Sequence, residues 1–200
     1  MHRKTPQLSA EKLREAGIKS LENASELVQE ARILYEHGCW SRTVFLCCIS
    51  SEELGKCFIT LSAIVNKRAN KFDEKRYRER FRTHREKTGS LNFFEDVFVS
   101  SSNIPVQPED IDNATKAIER VKLASLYCDY YVIEPYKPYE LITEKLAAET
   151  LKLADKRVEH FTKNVRPMFD HVLEINPEEI IRFQNELLGT RDVQSSKDSR

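Results

Sequence analysis

The sequence predicts an all-α protein built as an antiparallel bundle of about six to seven helices. Apolar residues recur at spacings of three and four over long segments, and capping residues, glycines or prolines separate those segments. No series of alternating strands, Gly-rich phosphate loop or internal repeat is present. A chain of 200 residues can bury a sizeable core, so we expect one domain over residues 1–189 and a disordered tail over residues 190–200.

The first half of the chain predicts three helices. Residues 9–37 place small or apolar side chains on one face, and Gly38 ends that helix. Residues 41–69 are apolar around nearly the whole circumference, so this second helix should lie centrally in the bundle. Residues 71–88 continue the helical pattern with mostly charged side chains, and we expect Gly89 to end the helix there.

The second half is less uniform. The stretch LNFFEDVFV fits either a short helix or a strand. A helix is expected to start at Pro108 and to end by IEPYKPYE, which its two prolines make a loop. Thr143 can cap the next helix, which Pro167 kinks or breaks. A last short helix should open at Asn176 and close at Gly189.

Composition excludes several classes of function. Lys and Arg total 32 and Asp and Glu total 32, so no overall field attracts nucleic acid or an anionic membrane. The longest wholly apolar run, residues 44–49, is too short to cross a bilayer. The five cysteines are odd in number and form no C-x-x-C pair, which is typical of reduced thiols in a cytoplasmic protein. No Cys/His cluster has ligand spacing, so we expect no metal and no cofactor.

The stretch SSEELGK places charged residues inside the most apolar helix. Glu52, Glu53 and Lys56 project among core residues, where each charge costs several kcal/mol unless it is paired. One interpretation is a structural Glu–Lys pair at spacing i,i+4. The other is a polar cavity in which Lys56 holds an anion and Glu53 orients a catalytic base. Gly55 lies in a sector of small residues that lets a neighbouring helix approach closely.

A local excess of positive charge follows. Between Lys71 and Lys87 there are eight Lys or Arg against four Asp or Glu. A phosphate-binding face is one interpretation, and a solvated helix with internal ion pairs is the other. On the first interpretation the RNA-binding candidates are Arg80, Arg82, Arg85 and Lys87.

Two histidines have an arginine nearby. His84 lies at helical spacing from Tyr77 and Phe81, so it should face the protein, and it is our candidate general acid or base for phosphodiester chemistry. His171 with Arg166 forms a second Arg/His pair across Pro167. A lone histidine on an apolar face is more often a core residue than a catalyst.

Four segments together resemble a known family. In order they read ARILYEHGCWSRTVFLCCISSEELGK, FRTHREK, ASLYCDYYV and ITEKLAAETLKLADKRV. Over about residues 20–160 the chain resembles the AbiV family of prokaryotic abortive-infection proteins. The resemblance implies a bundle of the HEPN superfamily, whose members often dimerise and in many cases cleave RNA without a metal. The family motifs fall on Glu52, Glu53, Lys56, His84, Lys87, Tyr127 and Asp129.

The Arg/His signature of the superfamily has two matches in this chain. Arg78 and His84 are separated by five residues but lie on an early helix. Arg166 and His171 are separated by four and lie late in the chain, as the signature usually does, but Pro167 follows the arginine. Both pairs stay open, and we favour His84 because the cationic helix and the SSEELGK stretch offer it partners.

These observations support a first hypothesis, an RNA-cleaving toxin of phage defence that acts as a cytoplasmic homodimer. In it His84 is the acid or base, Lys56 and Arg78 or Arg82 stabilise phosphate charge, and Glu53 orients the site. The supporting residues are Glu52, Tyr127 and Asp129. The alternative is a non-catalytic helical protein that binds a phage or host factor and blocks translation. A helical partner of a nucleotidyltransferase or of another toxin is a third interpretation.

Overall fold

The computed structural model describes residues 8–98, 107–131 and 134–179, and at residues 94, 96–98, 129–131 and 134 it describes the backbone alone. Its regular structure is almost entirely helical, which confirms the all-α prediction. The helices in chain order are α1 (Ala10–Glu36), α2 (Trp40–Arg68), α3 (Glu74–Arg82), α4 (His84–Phe98), α5 (Pro108–Leu126), α6 (Pro138–Leu141), α7 (Glu144–His160) and α8 (Arg166–Glu174).

The hairpin of α1 and α2 forms as its sequence predicts. The Ser9 hydroxyl accepts a hydrogen bond from the backbone N–H of Lys12 (3.2 Å) and caps the start of α1. Gly38 adopts a φ of +71°, the left-handed conformation that lets the chain reverse between the two helices. The two long helices therefore pack side by side.

Helix α2 lies at the centre of the bundle, as its all-round apolar character predicts. It contacts α1, α4, α5 and α7. At Gly55 the backbone of α4 comes so close that a Cβ atom would overlap the carbonyl oxygen of Lys87. The small-residue sector of α2 thus brings the first turns of α4 against its middle, and this approach positions the candidate site.

The basic segment differs from the prediction of one helix ended by Gly89. The helix stops at Thr83, which has an extended backbone (φ −80°, ψ 121°), and α4 restarts at His84 and runs through Gly89. The Thr83 carbonyl accepts the N–H of Lys87 (3.2 Å), so α4 begins around this residue. The prediction was wrong because α4 packs on α5 in the region of Gly89, and this packing favours continuing the helix over ending it.

The connection between α5 and α7 also differs from the expected loop. Two short strands, β1 (Asp129–Tyr131) and β2 (Glu134–Tyr136), pair antiparallel with Asp129 opposite Tyr136. Helix α6 then begins at Pro138, whose fixed φ suits a first helical position. The prolines of this segment therefore lie where strands and helices tolerate them.

The C-terminal helices follow the expected boundaries with one irregularity. The Thr143 hydroxyl caps α7 by accepting the N–H of Leu146 (3.2 Å), as predicted. A π-helical turn, Phe161–Val165, joins α7 to α8, so the α-helix is interrupted just before Pro167, where the sequence predicts a kink or a break. The Asn176 side chain accepts the N–H of Glu178 (3.0 Å), in keeping with a helix start there. The expected end at Gly189 and the tail 190–200 lie outside the described residues.

The stretch that fits either a helix or a strand in the sequence belongs to α4. The stretch LNFFEDVFV is helical through Phe98, which settles the choice between helix and strand for the part that is described. None of the helices in the described ranges combines the length and apolar character needed to cross a bilayer.

Candidate active site

A buried carboxylate on α2 organises the site. Glu52 is only 3% exposed, and three side chains from two other helices converge on it. Its Oε2 atom lies 2.5 Å from Nδ1 of His84 and 3.0 Å from Nζ of Lys87, both on α4. Its Oε1 atom accepts a hydrogen bond of 2.5 Å from Nζ of Lys122 on α5. We refer to these four residues, Glu52, His84, Lys87 and Lys122, as the Glu52 cluster.

The cluster forms because of local sequence spacing. His84 and Lys87 are three residues apart in the first turn of α4, so both side chains lie on the same helix face. Gly55 lies three residues after Glu52 and permits the close contact between α2 and α4 at Lys87. The absence of one Cβ atom therefore allows both α4 side chains to reach the Glu52 carboxylate.

Glu52 is held in its ionised form. Burial by itself raises the pKa of this carboxyl, but hydrogen bonds from Lys122, His84 and Lys87 together outweigh burial and leave the pKa below the ordinary value of 4.5. An ionised carboxylate can only accept hydrogen bonds. Consequently Nδ1 of His84 must carry the proton in its 2.5 Å contact with Oε2.

This contact leaves the second ring nitrogen of His84 available. The His84 side chain is 62% exposed, although its Nδ1 atom is bonded to a buried group. In a neutral ring with a proton on Nδ1, Nε2 has a free lone pair. Lys87 Nζ lies 3.4 Å from Nδ1, but because a protonated Nδ1 cannot accept, its hydrogen bond is the 3.0 Å contact with Glu52. A carboxylate-oriented histidine of this kind can act as a general base.

The cluster has an excess of positive charge. Lys87 and Lys122 are 6% and 8% exposed, and Glu52 is the only carboxylate bonded to either within the described residues. One negative charge therefore faces two buried ammonium groups. Because buried charges are weakly screened, the excess favours an anion bound beside His84.

The chain matches the model of one known protein family over most of its length. The family model for AbiV, of the HEPN type, matches residues 12–159 of the chain. The chain belongs to the AbiV family. The match confirms the resemblance seen in the sequence, and it includes every member of the Glu52 cluster. No curated protein and no solved structure matches the chain significantly.

Glu53 and Lys56 form a separate pair in this AbiV family member. Lys56 Nζ donates to Glu53 Oε1 at 2.5 Å and lies 5.2 Å from the centre of the Phe81 ring. The Glu–Lys pair expected at spacing i,i+4 is therefore replaced by one at i,i+3. The carboxylate that orients His84 is Glu52, whereas Glu53, which we expected in that position, bonds to Lys56.

Most of the expected RNA-binding cations already have carboxylate partners. Arg78 bonds to Glu74 (2.7 Å) and lies on the far side of the Thr83 break from His84. Arg82 is exposed, and within the described residues no ion pair joins it to a carboxylate. The remaining pairs are Arg80 with Glu86 (3.2 Å) and Ser90 (3.0 Å), Arg85 with Asp112, and Lys87 with Glu52. The local positive excess is thus largely balanced by acidic side chains.

The other sequence candidates lie apart from the cluster. Tyr127 is exposed just after α5 ends, and the side chain of Asp129 is not among those described. Arg166 and His171 are exposed on α8, beyond the region matched by the AbiV model. In the part of the chain that the structure describes, neither bonds to the Glu52 cluster. No group of potential metal ligands occurs in that part either.

Sequence reasoning missed two contributors to the site. Lys122 lies four residues after Ile118 and three before Ser125, which is the spacing of the buried face of α5, and this spacing was the signal that it points inward. Arg157 lies three residues after Ala154 and four before Phe161, again on a buried face. It bonds to the Ser51 hydroxyl (3.1 Å) beside Glu52 and to Glu95 of α4 (2.5 and 2.6 Å).

Proposed function

We propose that this protein is an abortive-infection effector that cleaves RNA without a metal, with His84 as the general acid and base. The observation that supports this most is the hydrogen bond between exposed His84 and buried, ionised Glu52. Membership of the AbiV family supports the role in defence. RNA is a suitable substrate because its 2′-hydroxyl supplies a nucleophile that a histidine can activate.

The chemistry follows from the free nitrogen of His84. Nε2 removes the proton of a 2′-hydroxyl, whose oxygen forms a bond to the adjacent phosphorus while the bond from phosphorus to the 5′-oxygen breaks. The products are a 2′,3′-cyclic phosphate and a 5′-hydroxyl. Lys87 and Lys122 carry two positive charges, of which Glu52 balances one. The remaining positive charge stabilises the negative charge that develops on the phosphate oxygens. We propose that the departing 5′-oxygen receives its proton from Nε2 of His84 of a second copy, in a homodimer. That His84 enters the step as the imidazolium and leaves it neutral, while the first His84 leaves the step protonated.

The proposal assigns no catalytic role to His171. His171 has no bonded carboxylate among the described residues to fix its tautomer, and it lies outside the AbiV match. Arg78 is likewise replaced as the phosphate-stabilising group by Lys87 and Lys122, because Glu74 neutralises Arg78. Arg82 keeps its proposed role in holding the RNA backbone, since it is exposed on the helix that leads to His84.

The test is cleavage of total cellular RNA in EDTA. Wild type, His84→Ala and the matched control His171→Ala are compared after circular dichroism has shown all three to be folded. Wild type and His171→Ala should cleave, and His84→Ala should be slower by about 10² to 10⁴, the usual contribution of a general base. Equal cleavage by His84→Ala would refute the assignment. Toxicity of wild type in cells without RNA cleavage would favour the second candidate below.

A second candidate function is a non-catalytic protein that binds a phage or host factor and blocks translation. The observation that favours it is that Glu52, Lys87 and Lys122 are buried and satisfy one another, as in a purely structural network. It predicts that Lys56→Met, which breaks the bond to Glu53, lowers stability as much as function. A stable but inactive Lys56→Met variant would count against this candidate.

A further inference from the structure

We propose that a groove between α2, α4 and α5 binds a guanine base of the RNA strand that His84 cleaves. RNA as the source of the base rests on the function proposed above, but the choice of base rests on the groove itself. The residues that carry the argument are Phe58 of α2, Arg85, Glu86 and Phe93 of α4, Asp112 of α5, and Arg80, which reaches the rim from the end of α3. We refer to this feature as the α2–α4–α5 groove.

The groove lies about one nucleotide from the candidate active site. Phe58 follows Glu52 by six residues on α2, which corresponds to roughly 9 Å along the helix axis. Arg85 and Glu86 follow His84 directly in the first turn of α4. The cavity volume is about 660 Å³, within the usual range for small-molecule sites of roughly 300–1,000 Å³. A base next to the reacting phosphate can therefore reach it.

Aromatic side chains give the groove a surface for stacking. Phe58 and Phe93 are half-buried in its wall, with ring centres 6.2 Å apart and planes inclined by 47°. This spacing leaves no room for a base between the rings, so a base would lie against the ring surface that lines the groove. Stacking on an aromatic ring is the usual way in which proteins hold an unpaired base of RNA.

The charges of the groove favour a neutral base over a phosphate. Arg80 bonds to Glu86 at 3.2 Å, and Arg85 bonds to Asp112. Asp112 also bonds to Lys116 (2.7 Å), which lies outside the groove lining. Within the lining itself two arginines face two carboxylates, and a phosphate placed against those carboxylates would be repelled. A base with donors and acceptors on its edge can instead bond to both kinds of group.

Guanine matches this arrangement best among the four bases. Its N1–H and amino group are adjacent donors that a carboxylate accepts, and its O6 and N7 atoms are adjacent acceptors for a guanidinium. Adenine has no N1–H, and the pyrimidines have no N7. Asp112 and Glu86 accept hydrogen bonds, while Arg80 and Arg85 donate them. Guanine can therefore bond to both the carboxylates and the guanidinium groups of the groove.

The first experiment measures binding of GMP, AMP, CMP and UMP by titration calorimetry in EDTA. GMP should bind more tightly than the other three by on the order of tenfold, since they share its phosphate and differ in the base. Asp112→Asn should remove most of this preference. The matched control is Asp110→Asn, an exposed residue of the same helix turn outside the groove, which should leave binding unchanged. Equal affinity for all four nucleotides, or equal effects of both substitutions, would overturn the inference.

The second experiment separates this inference from the proposed nuclease function. Cleavage sites are mapped on an RNA of mixed sequence with wild type, Asp112→Asn and His84→Ala. The expected result is cleavage beside guanine in wild type and loss of that preference in Asp112→Asn. Cleavage beside all four bases by wild type would refute the groove as a guanine site and leave the nuclease intact. GMP preference without RNA cleavage would support the groove and refute the nuclease.

Discussion

Glu52 is the residue on which the electrostatics of the site depend. The variant Glu52→Gln keeps the shape of the side chain but leaves Lys87 and Lys122 buried without a counter-charge, so it should lower the free energy of unfolding by about 3–5 kcal/mol. Lys122→Met leaves one buried negative charge beside one positive charge, so its cost should be smaller, about 1–3 kcal/mol. Urea unfolding measures both values.

The control for this comparison is Lys116→Met, which changes an exposed lysine of the same helix and should alter stability by less than about 0.5 kcal/mol. A larger loss of stability from Lys122→Met than from Glu52→Gln would contradict the charge balance.

The pH dependence of stability gives a second check. Because the folded pKa of Glu52 is lowered from 4.5, its stabilisation is complete above that pH and is lost as the pH falls through the folded pKa. The difference in free energy of unfolding between wild type and Glu52→Gln should therefore become smaller as the pH is lowered.

At this scale the sequence indicated which residues are unusual but gave little information on their partners. A helical wheel gives the angular positions of Glu52, Glu53 and Lys56 around α2, and from these positions we expected Glu53 to orient the catalytic base. The partners are decided instead by the neighbouring helices, which supply His84 and Lys122 to Glu52. Side-chain pairing across helices depends on their tertiary arrangement, which local spacing does not contain.

At the scale of elements, the contact between α2 and α4 is the most sensitive to a single atom. Gly55→Ala would place a Cβ atom against the backbone of Lys87, so it should destabilise the fold by about 1–3 kcal/mol or more and displace His84 from Glu52. The matched control is Gly89→Ala, where a Cβ would lie 3.6 Å from the Thr115 hydroxyl, an ordinary contact. Since alanine favours helix, this control should stabilise α4 by about 0.5–1 kcal/mol. In urea unfolding, we expect Gly55→Ala to lower the free energy of unfolding and Gly89→Ala to raise it.

A comparison of Gly38 with Gly89 shows why some elements were predictable and others were not. Gly38 ends α1 because no other residue adopts its positive φ as readily, and this local rule is visible in the sequence. Gly89 looks the same in the sequence, yet it lies inside α4 because packing on α5 overrides propensity. The break at Thr83 was missed for a related reason, since charged residues continue the helical pattern on both sides of it.

For the whole molecule, the fold was predictable because long apolar stripes at helical spacing leave few other architectures. The site was only partly predictable because it joins α2, α4, α5 and α7, and its residues meet only when these helices pack. The overall neutrality of the chain gave no sign of the buried positive excess around Glu52. Net charge describes the surface field, whereas the site depends on charges that the fold brings together.

The five cysteines provide a measure of how far the bundle opens in solution. Cys39 and Cys128 are exposed, whereas Cys47, Cys48 and Cys57 are buried. Burial raises the pKa of Cys47 to about 12 and that of Cys48 to about 11, and it raises the pKa of Cys57 as well. Because the thiolate is the reactive form, buried thiols should not react while the protein is folded.

We therefore expect a thiol reagent at pH 8 to modify two cysteines rapidly in the folded protein and all five in denaturant, as counted by mass spectrometry. The double variant Cys39→Ser, Cys128→Ser should show no rapid modification, and its slow reaction then reports opening of the core around α2. Glu52→Gln should speed that slow phase, since it removes the charge that holds α4 and α5 against α2. Rapid modification of three or more thiols in the folded wild type would show that the helices around α2 pack less tightly than described, and the Glu52 cluster would then be open to water as well.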